Sequence, residues 1–260
     1  MLRGVYSSVS AMLQLQAKQS LTTNNIANAN TTGYKSETMV EKPFPEYMIG
    51  NKDNYTKGQP KRKNIGTLSF GVKMDDTITS HYQGDLIETG SETSFAILGD
   101  GFFTVMDRDG NTAYTRDGVF KVSSEGYLMT SAGHLVQGIN TRTGALEPIN
   151  VGIETDVVVD QNNNIKINDA ISYRFNIVEP NNYDNFKMES DNLFYGGNGV
   201  KAVNGNNYSI KQRYKEGSNV DIVTETTNMM TNLRAFEANQ TVVKALDTTM
   251  NLIVNEIGRI

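Results

Sequence analysis

Residues 220–257, VDIVTETTNMMTNLRAFEANQTVVKALDTTMNLIVNEI, decide the architecture of this chain. From Ile222 an apolar residue returns every seven positions, at Met229, Phe236, Val243, Met250 and Ile257, and Leu233, Leu246, Ile253 and Val254 occupy sites between them. A seven-residue apolar repeat lets a helix lay one stripe along another helix. At 1.5 Å per residue this helix is about 55 Å long, too long to fold back on a compact domain of this size, so it is expected to project. At the other end Leu2, Val5, Tyr6, Val9, Met12, Leu13 and Leu21 recur at helical spacing and lead into an Asn-rich stretch that closes at Lys35. The two termini are expected to pair.

The polar faces of both helices are unusual. Arg3 and Lys18 are the only charged residues before Lys35, and the non-seam positions after Val220 are mostly Thr and Asn. A solvated helix face normally carries Lys and Glu. An ordinary two-helix hairpin in solvent would share the apolar spacing, whereas amide and hydroxyl faces suit contact with other protein surfaces, where no charge has to be desolvated. Thr and Asn also disfavour helix interiors, so these termini are expected to depend on partners and to fray without them.

Between the ends the grammar changes. Short runs rich in Val, Ile, Phe, Tyr and Thr, separated by Gly-containing turns, fill the region from about Ile65 to Tyr214. Phe95 to Leu98, Phe102 to Met106, Ala113 to Arg116, Val119 to Val122, Tyr127 to Thr130, Leu135 to Gln137, Val157 to Val159, Ile165 to Ile167, Tyr173 to Val178 and Tyr208 to Gln212 read as strands. Asp109-Gly110, Asp117-Gly118, Glu125-Gly126 and Ala132-Gly133 read as their tight turns. The expected fold is α+β: paired N- and C-terminal coiled-coil-like helices flanking a central all-β domain. Residues 1–40 and 215–260 form a helical polymerisation module, 41–64 a linker or exposed loop after Pro43 and Pro45, and 65–214 a β-rich outer domain.

Composition narrows the function. A net charge of -5 and a pI near 5.2 argue against a nucleic-acid binder. Lys61, Arg62 and Lys63, beside Pro60, read as a solvated loop. With 0 cysteines, disulfides, thiolate metal sites and cysteine nucleophiles are excluded. No window is apolar for the 18 to 20 residues of a membrane span, and Met1-Leu2-Arg3 does not open a cleavable secretory signal. His81 and His134 lack metal-ligand spacing. Asp107, Asp109 and Asn111 start like a calcium loop, but Thr112 and Gly118 occupy the positions that need Gly and Glu. Gly99-Asp100-Gly101 leads into a strand rather than a helix, so it reads as a turn or bulge. No cofactor, metal or small-molecule site is expected, and no catalytic constellation stands out.

The segment Thr23-Asn24-Asn25-Ile26-Ala27-Asn28-Ala29-Asn30-Thr31-Thr32-Gly33-Tyr34-Lys35 resembles the N-terminal signature of bacterial flagellar rod and hook proteins. The run Ser218-Asn219-Val220-Asp221-Ile222-Val223, with Leu233-Arg234-Ala235-Phe236-Glu237-Ala238-Asn239, is similar to the C-terminal signature. Gly99-Asp100-Gly101-Phe102-Phe103, Tyr114-Thr115-Arg116-Asp117-Gly118-Val119-Phe120 and Glu125-Gly126-Tyr127-Leu128 look like the β domain of the larger members. Residues 140 to 210 carry no motif that can be placed. By its length the chain resembles the FlgF/FlgG rod group more than the hook protein.

The resemblance implies a non-enzymatic structural subunit of the flagellar basal-body rod, polymerising helically into the shaft that transmits torque to hook and filament. A hook-type or phage-tail-like fibre subunit is the alternative within this class, and a β-domain polysaccharide-cleaving enzyme the alternative outside it. The implied partners are the chain itself, other rod and hook proteins and the flagellar type III export apparatus, with an extracytoplasmic place in the basal body reached without a cleaved signal. The expected assembly residues are Val5, Val9, Met12, Leu13, Asn24, Asn25, Ile26, Asn28, Gly33, Met229, Leu233, Phe236, Val243, Leu246, Met250, Ile253 and Ile257. Gly33 is expected to end the N-terminal helix in a left-handed conformation.

Overall fold

The computed structural model describes residues 2–56, 59–153, 157–160, 163–167, 170–183, 186–196, 199–203 and 208–257. The chain divides into two compact units. The first joins Met1–Ile26, Glu37–Ile78 and Ile222–Ile260, and the second joins Ala27–Ser36 and Thr79–Asp221.

The first unit holds two helices, α1 over Leu2–Ala27 and α2 over Ile222–Ile257. Their threonines satisfy themselves. Thr226, Thr227, Thr231, Thr241, Thr248 and Thr249 each donate the hydroxyl to the carbonyl four residues back, at 2.8 to 2.9 Å. Thr23 does the same to Gln19 on α1. Such back-bonding weakens helix propensity slightly, but it uses the hydroxyl donor inside the helix.

Four strands complete this unit: β1 Glu37–Pro43, β2 Tyr47–Thr56, β3 Gln59–Leu68 and β4 Val72–Thr79. The stretch read as linker or exposed loop, 41–64, is thus largely strand. β2 and β3 form an antiparallel hairpin that starts with Tyr47 opposite Leu68, and β1 pairs with β4. The hairpin escapes sequence reading because it lacks the apolar alternation that marks a strand with one buried face. Pro60 fits because a two-stranded ribbon has only edges. The side chains of 52–62, including Lys61 and Arg62, lie outside the described part.

The second unit is built on an antiparallel sheet of thirteen strands among the described residues. Its main path runs through Val157–Val159, Asn164–Ile167, Ala170–Phe175, Leu135–Asn140, Phe102–Met106, Thr112–Thr115, Phe194–Tyr195 and Lys187–Met188. Phe102–Met106 is covered on both faces, because alternate side chains point opposite ways. Phe103 and Val105 enter the main core with Phe95, Phe120 and Phe175, while Phe102 enters a second cluster with Tyr114, Val178, Phe186 and Phe194.

Two readings change here. The single strand expected over Tyr173 to Val178 is broken at Asn176. Residues up to Phe175 pair with Leu135–Asn140, and Ile177–Pro180 pairs with Phe102–Met106 and Val200–Ala202. Asn176 holds the bend, its carbonyl accepting the Thr104 hydroxyl at 2.9 Å. Gly110, Gly126 and Gly133 are left-handed, with φ of 82°, 86° and 93°, as tight turns require. Gly118 is not left-handed. It is glycine because a Cβ there would overlap the carbonyl of Phe95.

Candidate assembly site

The covered positions of α2 follow a seven-residue repeat, and those of α1 contain one within a wider covered face that also takes in Gln14, Leu21 and Asn25. On α1 they include Val5, Ser8, Met12, Leu15, Gln19, Thr22 and Ile26, and on α2 Glu225, Met229, Asn232, Phe236, Asn239, Val243, Leu246 and Met250. Both series step by three and four. A Cβ added at Gly4 would lie 3.4 Å from Cδ1 of Leu246, so the start of α1 lies beside the last third of α2. Among the expected interface residues, Val5, Met12, Ile26, Met229, Phe236, Val243, Leu246 and Met250 share these covered stripes. Val9, Leu13, Leu233 and Ile253 do not, and are exposed. The side chain of Ile257 lies outside the described part.

Val9 and Leu13 belong to another surface. With Tyr6, Ser10, Phe44, Pro45, Tyr47 and Phe70 they line an apolar groove of about 580 Å³ that has Arg3 as its one charged residue. The Arg3 guanidinium stands 5.8 Å from the centre of the Phe70 ring.

The Asn-rich signature divides by role. Asn24 is exposed, whereas Asn25 is buried and mimics a strand partner: Nδ2 donates to the Glu37 carbonyl at 2.9 Å and Oδ1 accepts the Glu37 N–H at 3.1 Å. Asn28 is half-buried and its Oδ1 accepts the Thr31 hydroxyl at 3.1 Å. Gly33 does not cap the helix, which ends at Ala27. It is left-handed, with φ of 69°, and buried against Arg116 and Asp117, so its place is inside the second unit rather than on a free surface.

That unit contains a clasp which sequence reading did not foresee. Lys35, Arg116 and Glu216 are all buried, and one carboxylate serves both cations. Lys35 Nζ lies 2.6 Å from Glu216 Oε1, and Arg116 Nη1 lies 3.1 Å from Oε2. Lys35 also donates to the Tyr82 carbonyl, Arg116 to that of Gly99, and the Gly84 N–H to Glu216 Oε1. Burial outweighs the adjacent carboxylate and holds the Lys35 ammonium below the ordinary lysine value. Asn219 ties the same place together, accepting the Ser36 N–H at 2.7 Å and donating to the carbonyls of Ser80 and Tyr82.

His81 adjoins this clasp. Its ring lies 4.6 Å from that of Tyr183, and 5.8 and 5.9 Å from those of Phe194 and Phe102. Burial, with Lys35 and Arg116 nearby, pushes its pKa down to about 4. The imidazole is therefore neutral in the fold at pH 7. Its contribution to stability is complete above the unfolded value of about 6.5 and is lost as pH falls toward 4. Allowing for its partial exposure, the expected loss between pH 7 and pH 4 is about 1–2 kcal/mol. Burial shifts Glu37 and Asp117 upward, so they act in the opposite sense. The difference in melting temperature between the wild type and His81→Phe across this pH range isolates the histidine, and equal slopes in the two proteins would remove its role.

A further polar cluster surrounds His134. His134 stands between two carboxylates, Asp107 at 3.3 Å from Nδ1 and Asp191 at 3.5 Å from Nε2, an arrangement in which no single cation meets both. Among the described residues no group of three or more His, Asp or Glu could hold a metal ion.

Comparison with known proteins covers both ends and the centre. Residues 5–35 match the flagella basal body rod protein family, 96–191 the D1 domain of the flagellar hook protein FlgE/F/G, and 211–256 the C-terminal region of flagellar basal body rod FlgEFG proteins. The match over 96–191 takes in much of the region that carried no placeable motif. The chain is 30% identical to the flagellar hook-basal body complex protein FlhO of Bacillus subtilis, over 100% of both chains. It is 31% identical to FlgG of the same organism over 98% of this chain and 99% of that protein, and 30% identical to FlgF of Caulobacter vibrioides over 98% and 97%. Similarity to the hook protein FlgE of Helicobacter mustelae reaches 36% but covers 53% of this chain and 31% of that one. With end-to-end likeness to rod proteins and only partial likeness to a hook protein, the chain belongs to the FlgF/FlgG family of flagellar basal-body rod proteins.

Proposed function

We propose that this structural rod subunit polymerises helically through the helices of its terminal regions, 1–40 and 215–260, while the sheet unit, which takes in 27–36 and 215–221, forms the outer part of the shaft. The covered stripes carry this reading. From the contact of Gly4 with Leu246, an antiparallel α1 reaches the level of Glu225, the first covered position of α2. A parallel α1 would overrun the end of α2 and leave most of its stripe bare. An antiparallel coiled-coil-like pair therefore accounts for both stripes, with Ser8, Gln19, Thr22, Asn232 and Asn239 as polar members that fix register.

The outer faces of such a pair suit burial in a polymer. Their threonine hydroxyls already donate within the helix, so covering them orphans no donor. Torque transmission to hook and filament, passage through the flagellar export apparatus and the absence of catalysis belong to the same proposal. Phe236→Asp tests it, because a carboxylate in the stripe has no partner. Rods and motility should be lost while the sheet unit keeps its thermal transition. Motile cells carrying the variant would remove the stripe from assembly.

A further inference from the structure

The groove on α1 and the far end of α2 are both apolar, and neither is filled by the described residues of its own chain. Every residue from Asn251 to Glu256 is exposed, including Leu252, Ile253 and Val254. α1 comes alongside Leu246 within its first turn and Met250 is the last covered position of α2, so the segment 251–257, about 10 Å at 1.5 Å per residue, extends past the covered stripe. A straight α2 carries that segment away from the groove of the same chain.

We infer that the groove seats this overhang from a second copy of the chain, an inference that rests on the rod reading and names the surfaces that meet. The groove offers Tyr6, Val9, Leu13, Phe44, Tyr47 and Phe70, and the overhang offers three consecutive aliphatic residues. Charge is matched one to one. Among the described residues Arg3 is the only charged one that lines the groove, and Glu256 is the only charged residue in the sequence between Thr248 and Ile257. Groove and overhang are different patches, so each copy that accepts one neighbour still presents its own overhang to the next. Such a head-to-tail contact does not close on itself unless the rotation between copies permits, and it propagates a helical array.

The chain has 0 cysteines, so paired cysteines report the contact directly. Leu13→Cys with Val254→Cys is introduced into the full chain in cells lacking their own copy of the gene, and basal bodies are isolated under oxidising conditions. The expected result is a ladder of dimers, trimers and higher species that collapses on reduction, while each single variant yields nothing larger than a dimer. Basal bodies that contain the protein unlinked, or linked only within one chain, would overturn the groove assignment and leave the rod reading standing. If the double variant is missing from basal bodies, Tyr47→Cys with Leu252→Cys is read in the same way. Absence of the unsubstituted chain from basal bodies would overturn the rod reading and the groove with it.

Discussion

Glu216→Gln should lower the stability of the protein by about 3–5 kcal/mol, the usual cost of removing one partner from a buried ion pair. The substitution preserves shape and an acceptor oxygen, so the loss reports charge. Lys35 and Arg116 would remain buried with no carboxylate between them. Lys35→Met combined with Glu216→Gln should lose less than the two single variants together, because the double variant leaves only one cation to compensate. Denaturant unfolding of the purified chain measures all three. A loss under about 1 kcal/mol for Glu216→Gln would mean that the clasp behaves like a solvated surface pair.

Gly33→Ala should cost on the order of 3 kcal/mol, from two separable sources. A left-handed L-residue is strained by itself, and the new Cβ would also lie 2.6 Å from the carbonyl carbon of Arg116 and 2.9 Å from its oxygen. Those atoms are backbone and cannot swing aside. Gly90 provides the control, with φ of 70° and nothing within 4 Å of an added Cβ. Gly90→Ala should therefore lose only the dihedral part, about 1 kcal/mol. Equal losses at the two sites would show that the segment 27–36 shifts to accommodate a methyl group.

These two sites also mark where the sequence stops being readable. The helices were legible because their apolar residues recur densely at one period, and the strands of the large sheet because short runs rich in Val, Ile, Phe, Tyr and Thr, such as Phe102 to Met106, lie between Gly-containing turns. Gly33 was recognised as a left-handed glycine, but its reason is the backbone of Arg116, a neighbour that periodicity cannot supply. The β2–β3 hairpin was missed because its sequence lacks the apolar alternation that marks a strand with one buried face. The clasp was missed because Lys35, Arg116 and Glu216 each resemble a solvated charge until the fold brings them together. One signal was present: Lys35 ends a stretch of 34 residues with only two charges, Arg3 and Lys18. Among the expected assembly residues, the seven-residue spacing picked out Phe236 and Val243, which are half-buried. It did not distinguish them from Val9, Leu13, Leu233 and Ile253, whose helical angle turns them outward.

The clasp also sets an order of events in folding. Lys35 and Glu216 are separated by 181 positions, so the loop their contact closes spans most of the chain. Loop-closure entropy and high contact order make such contacts slow to form. The strands between them can pair locally beforehand, since hairpins such as Phe120–Val122 with Leu128–Thr130 join near neighbours. A chain delivered N-terminus first must therefore hold Lys35 without its carboxylate until nearly all the β unit has emerged. Closure of the clasp is then a late step, reached only after a complete sheet has brought its first and last segments side by side.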